Sequence, residues 1–171
     1  GRYACSYRPE SGEELDGEGA NLTAPPCVVP AAEDGRDPVL AWSDGERHGV
    51  ERVEFREGAG RPPARAWWFS PGRAVSSAPV LVGDVLFLLD GERGDEGRQL
   101  YALDAADGAL RWTRPVASGA SGELLASRGI LLAADRAAGW SAYDPASADG
   151  EALWMTDAGA PVGLPVIAGD L

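Results

Sequence analysis

Ala102-Leu103-Asp104-Ala105-Ala106-Asp107-Gly108-Ala109-Leu110-Arg111-Trp112 decides the fold of this chain. Asp104, Asp107 and Gly108 cluster between two short apolar runs, which is the composition of a hairpin turn with glycine supplying a positive φ. The run before it, Gln99 to Asp104, reads as a strand, and Ala109 to Trp112 reads as its antiparallel return. Further upstream, Asp90 to Arg98 is a polar loop and Val85-Leu86-Phe87-Leu88-Leu89 is an apolar strand. Gly83-Asp84 is a turn, and Pro79 to Val82 is a β-branched run. Four strands in sequence make an antiparallel meander. The second strand is apolar on both faces, as in a sheet covered on both sides.

This unit recurs. Ala78-Pro79-Val80-Leu81-Val82-Gly83-Asp84-Val85 returns as Leu164-Pro165-Val166-Ile167-Ala168-Gly169-Asp170-Leu171, and a degraded copy lies at Glu123 to Ile130. Tryptophans keep the same period: Trp68, Trp112 and Trp154 are spaced by about 43 residues. No window carries a helical apolar stripe free of Gly and Pro. Four strands in a period of about 43 residues predict propeller blades. The expected fold is all-β: four-stranded antiparallel meanders in an incomplete ring of about three blades plus the start of a fourth. The expected boundaries are an acidic leader over 1–25 and blades over about 26–77, 78–120 and 121–163, with the next beginning at 164–171.

The Ala102–Trp112 segment resembles the tryptophan-docking motif of the pyrroloquinoline-quinone (PQQ) repeat, Ala-x-Asp-x-x-x-Gly-x-x-x-Trp, at every defined position. The resemblance implies that Trp112 lies against a neighbouring blade, that Ala102 is small to admit an indole, and that Asp104 and Gly108 shape the turn. Ala142, Asp144, Gly150 and Trp154 continue the motif, with two residues too many between Ala142 and Trp154. Upstream, Pro26 to Val29, Val39 to Trp42, Gly49 to Phe55 and Ala64 to Trp68 resemble the strands of an earlier, divergent blade. Trp42 precedes Trp68 by the interval that separates Leu86 from Trp112, which places Trp68 in the docking position.

The acidic balance narrows the partners. The chain has 15 basic residues, all of them Arg, against 27 acidic ones, for a formal charge of −12. That argues against nucleic acid, whose phosphates are bound by concentrated positive charge. No apolar run is long enough for a helical membrane span. The all-arginine, Ala- and Gly-rich composition suggests a GC-rich bacterial source. Cys5 and Cys27 bracket a segment poor in large apolar groups, and a bridge between them would stabilise the fold by about 3 kcal/mol. Such a bridge implies an oxidising compartment, periplasmic or extracellular. Two unpaired cysteines in a cytosolic chain are the alternative.

The resemblance does not carry its cofactor with it. Catalytic members of the family use a Ca²⁺ or lanthanide site of Glu, Asn and Asp, a catalytic Asp and commonly a pair of adjacent cysteines. Here Asn21 is the only asparagine and no Cys-Cys pair exists. No catalytic, cofactor-binding or metal residue is assigned, and none of the cofactors of the family is expected. His48, the single histidine, reads as an exposed loop residue, and Asp90 to Gly97 as a solvated acidic loop rather than a calcium site. The expected function is a non-catalytic scaffold, interaction or sensor module with protein partners. It is similar in kind to propellers of outer-membrane assembly or those appended to bacterial kinases. A fragment of a quinoprotein dehydrogenase and a carbohydrate-binding propeller are the competing readings. Further blades, from the same or another chain, are expected to close the ring.

Overall fold

The computed structural model describes residues 21–30, 36–43, 46–54, 64–92, 95–116, 124–135 and 139–156. These residues form three antiparallel sheets and no helix. The first sheet holds β1 (Asn21–Leu22), β2 (Cys27–Pro30), β3 (Arg36–Ser43), β4 (His48–Glu54) and β5 (Ala64–Phe69), in the order β1-β3-β4-β5 with β2 also on β3. The second runs β6 (Val80–Val82), β7 (Val85–Leu89), β8 (Gln99–Asp104) and β9 (Leu110–Pro115). The third runs β10 (Leu124–Ser127), β11 (Ile130–Asp135), β12 (Gly139–Tyr143) and β13 (Ala152–Met155). The meander expected from Pro79 to Trp112 is therefore present strand for strand. Among the described residues, pairing already includes Asn21, inside the stretch read as leader, where Asn21 and Leu22 lie opposite Ser43 and Trp42.

The sheets stack face to face, and β7 shows why. All five of its residues are buried. Because alternate side chains leave opposite faces of a strand, Leu86 and Leu88 join Val39, Val50 and Trp67 of the first sheet in one core. Val85, Phe87 and Leu89 join Leu131, Ala133 and Tyr143 of the third sheet in another. Each such side chain contributes about 1.5–3 kcal/mol when fully buried. The continuous apolar run is thus the signature of a blade with a neighbour on each side. Beyond Met155, the repeat copy at 164–171 lies outside the described residues, as does Cys5.

One assignment from spacing is corrected. In the second sheet Trp112 lies opposite Ala102, and in the third Trp154 lies opposite Ala142. The first sheet places Trp67, not Trp68, in this position, opposite Arg52. In all three sheets the register shifts just after that pair. Trp67 is buried at 7% exposure while Trp68, pointing the other way, is 51% exposed. Counting from Trp42 failed because the links differ in length: β3 joins β4 through 44–47 where β7 joins β8 through 90–98, and the β4–β5 link is correspondingly longer.

Candidate functional site

The motif residues converge on the seams between sheets. Gly108 and Gly150 adopt φ of 73° and 70°, in the left-handed region that favours glycine. Each also lies under a tryptophan of the preceding sheet. A Cβ on Gly108 would stand 2.6 Å from the Trp67 ring, and one on Gly150 would stand 2.5 Å from the Trp112 ring. The docking is directional: the tryptophan of one sheet covers the turn glycine of the next. Trp112 also packs beside Phe87 and Tyr143, with ring centroids 5.7 and 6.0 Å away. Trp154 points the same way along the stack and remains 45% exposed.

The aspartates shape the turns. Asp104 accepts a bond from the Ala106 amide at 2.9 Å, and its carbonyl accepts one from Gly108 N at 2.9 Å. Asp144 repeats the first of these with Ala146 at 2.8 Å. The third sheet's turn is longer, and there Gly150 N donates instead to the Ser147 hydroxyl at 3.0 Å. That substitution accommodates the two extra residues before Trp154. It also coincides with a difference at the indoles. Trp67 Nε1 donates to the Ala105 carbonyl at 3.2 Å, whereas the buried Trp112 Nε1 has no partner among the described residues. On the outside of the second turn, Arg111 bridges Asp84 at 2.6 Å and Asp104 at 2.7 Å. Its hydrogen bonds hold both carboxyls below the usual carboxylate range.

Three residues depart from the sequence reading: Arg52, Asp90 and His48. Arg52 occupies the place of the small motif alanine, and its guanidinium reaches Asp37 at 2.8 Å and the Ala105 and Ala106 carbonyls at 3.4 Å. It therefore ties the first sheet to the second sheet's turn. Asp90 is no solvated loop acid: it is buried, accepting from Gln99 N at 2.6 Å and from the Tyr101 hydroxyl at 2.8 Å. Burial, reinforced by Asp90, pushes the Tyr101 phenol up to about 12. His48 likewise leaves its expected loop. It opens β4, half-buried, with Nδ1 2.9 Å from the Ser43 hydroxyl.

A cleft of about 450 Å³ opens beside this network, lined in part by Thr23, Arg73, Ser76, Glu92 and Asp95. Two of its charged side chains, Arg73 and Asp95, face each other. Arg73 donates to the Glu96 carbonyl at 2.9 Å and approaches Asp95 at 3.5 Å, while Asp95 accepts from Glu92 N at 3.0 Å. Cys27 is a free cysteine, half-buried against Leu81, and burial pushes its thiol up; the bridge to Cys5 expected from sequence is not formed at Cys27, and Cys5 itself lies outside the described residues. Among the described residues, the donor set does not fit the metal and quinone of the family's catalytic members. Asp37, Asp84, Asp90 and Asp104 are each engaged by arginine or by neighbouring N–H and O–H donors, and Asn21 sits on the short edge strand β1.

The family model described as outer membrane protein assembly factor BamB matches residues 32–170. Two solved structures share the fold. BamB from Moraxella catarrhalis matches with a TM-score of 0.57 and 17% identity, over 79% of this chain and 36% of that one. A europium-containing methanol dehydrogenase matches with a TM-score of 0.57 and 18% identity, over 80% of this chain and 26% of that one. The chain thus spans about a third of the first relative and a quarter of the second. A comparison with curated proteins finds no match.

Proposed function

Because the chain belongs to the PQQ-repeat β-propeller family of outer membrane assembly factor BamB, we propose that it is a segment of a non-catalytic propeller scaffold that docks other proteins outside the cytoplasm. The observation that carries this reading is the use made of the motif residues. Trp67, Trp112, Gly108 and Gly150 are engaged in holding sheet to sheet, and none of them lines the cleft between Thr23 and Asp95. In this reading the blades occupy about 26–77, 78–120 and 121–163, and a fourth begins at 164–171. Further blades complete the ring and supply part of the docking surface.

The likeness to a methanol dehydrogenase supports a second reading, in which the chain is one arc of a quinoprotein enzyme whose site lies on other blades. Adding PQQ and Ca²⁺ to the protein and assaying dye-linked alcohol oxidation separates the two. The scaffold reading expects no retained quinone absorbance and no dye reduction. Stoichiometric quinone with alcohol-dependent dye reduction would overturn it.

A further inference from the structure

The first sheet turns a face away from its neighbour. Leu22, Val28, Leu40, Trp42, Glu51 and Trp68 share it, since Leu22 pairs with Trp42 and the row Leu40, Glu51, Trp68 lies side by side. Val28 and Trp68 are 48% and 51% exposed there. Glu51 in the middle is only 6% exposed, yet its Oε2 has no hydrogen-bond partner among the described residues. Arg65 stacks over the Trp68 ring at 5.7 Å and acts on Glu51 only through its charge. A buried carboxylate oxygen without a donor is costly, so this apolar face is incomplete at one defined atom.

The other seams show what belongs there. Glu51 precedes Arg52, the residue opposite docking Trp67, just as Tyr101 precedes Ala102, the residue opposite docking Trp112. Tyr101 is covered by Phe69, two residues after Trp67, with ring centroids 5.4 Å apart. By the same register, Glu51 faces the side chain two residues after the docking tryptophan of whatever blade covers the first sheet. In the second sheet that position holds Arg114, which reaches across the seam to the Asp149 carbonyl at 2.7 Å. An arginine in this place is therefore compatible with the stacking. The sequence offers a covering blade no turn glycine of the usual kind, since the position four before Trp67 is Pro63, where Trp112 and Trp154 have Gly108 and Gly150.

We propose that a further blade of the same propeller covers this face and places an arginine or lysine, two residues after its docking tryptophan, against Glu51. The proposal rests on the ring-completing blades of the preceding reading; BamB, of which this chain spans 36%, has the length for them. It makes the seam at the first sheet an ion pair inside an apolar frame.

In the closed ring, iodide quenching of Trp68, read as the difference from Trp68→Phe, should fall several-fold relative to the 171-residue chain alone. Glu51→Lys should restore quenching, and a second change of the facing cation to Glu should remove it again. Glu51→Gln, which keeps the shape, serves as the folded control and should leave Trp68 shielded. Trp68 equally quenchable in the closed ring would overturn the covered face. Shielding without charge-reversal rescue, or shielding that depends on protein concentration as for a second copy, would overturn the named occupant. Dye-linked alcohol oxidation by the same protein would refute the scaffold reading while leaving each of these outcomes as decisive as before.

Discussion

Gly108 carries two constraints at once, a φ of 73° and an indole where its Cβ would be. Gly108→Ala should lower stability by about 1–3 kcal/mol from backbone strain alone, with the displaced Trp67 adding to it. A urea midpoint reduced at unchanged slope, together with a red-shifted tryptophan emission, is the expected signature. Glu51 makes a pH prediction. Burial raises its pKa in the fold, so across the window from the ordinary carboxylate pKa up to the raised one the folded state holds more protons than the unfolded state, and stability falls as pH rises. Glu51→Gln should therefore gain stability over the parent chain as pH climbs through that window and hold a constant gain above it. A gain that shrinks with rising pH would contradict the sign. At this scale the sequence displayed the turn role of Gly108 but not its second role as the floor under an indole, because that contact joins residues 41 positions apart in chains of different local length. Trp67 and Trp68 were ambiguous for the same reason: adjacent strand residues look alike in composition and differ only in which face meets a neighbour.

The strands themselves were legible. The Val85–Leu89 run is apolar at every position because each face meets another sheet, and this period-free pattern survives in any single sequence. The seams between strands were less so. Arg52 stands where the repeat has alanine, and only the fold brings Asp37 and the Ala105 carbonyl to it. Leaving either charge buried alone costs about 3–5 kcal/mol, so Arg52→Ala and Asp37→Ala should each destabilise on that scale. The double variant should lose clearly less than their sum; an additive cycle, read by denaturant unfolding, would refute the clamp. The two seams also differ in strength. The first has the Arg52 clamp and a satisfied Trp67 N–H, while the second buries Trp112 Nε1 without a partner among the described residues. Amides of β11 and β12 should exchange with deuterium faster than those of β7 and β8, and equal protection across the two seams would contradict this ranking.

At the scale of the molecule, the described residues form a stack of sheets that each pass a tryptophan forward, and this described stack has two ends. One end offers Trp154 and the other offers the face around Glu51 and Trp68. Periodicity in the sequence announced the stack, since the repeat fixes how many units fit in the chain; it could not announce which partner lies beyond either end. The central claim, that successive blades are joined tryptophan to turn glycine, is tested most directly by nuclear Overhauser contacts in the folded chain. The expected result is a contact from the Trp67 ring to the Gly108 α-protons and from the Trp112 ring to those of Gly150, with both glycines shifted upfield by the ring currents. Contacts from Trp68 to Gly108, or glycine shifts at ordinary values with no indole contact, would contradict it.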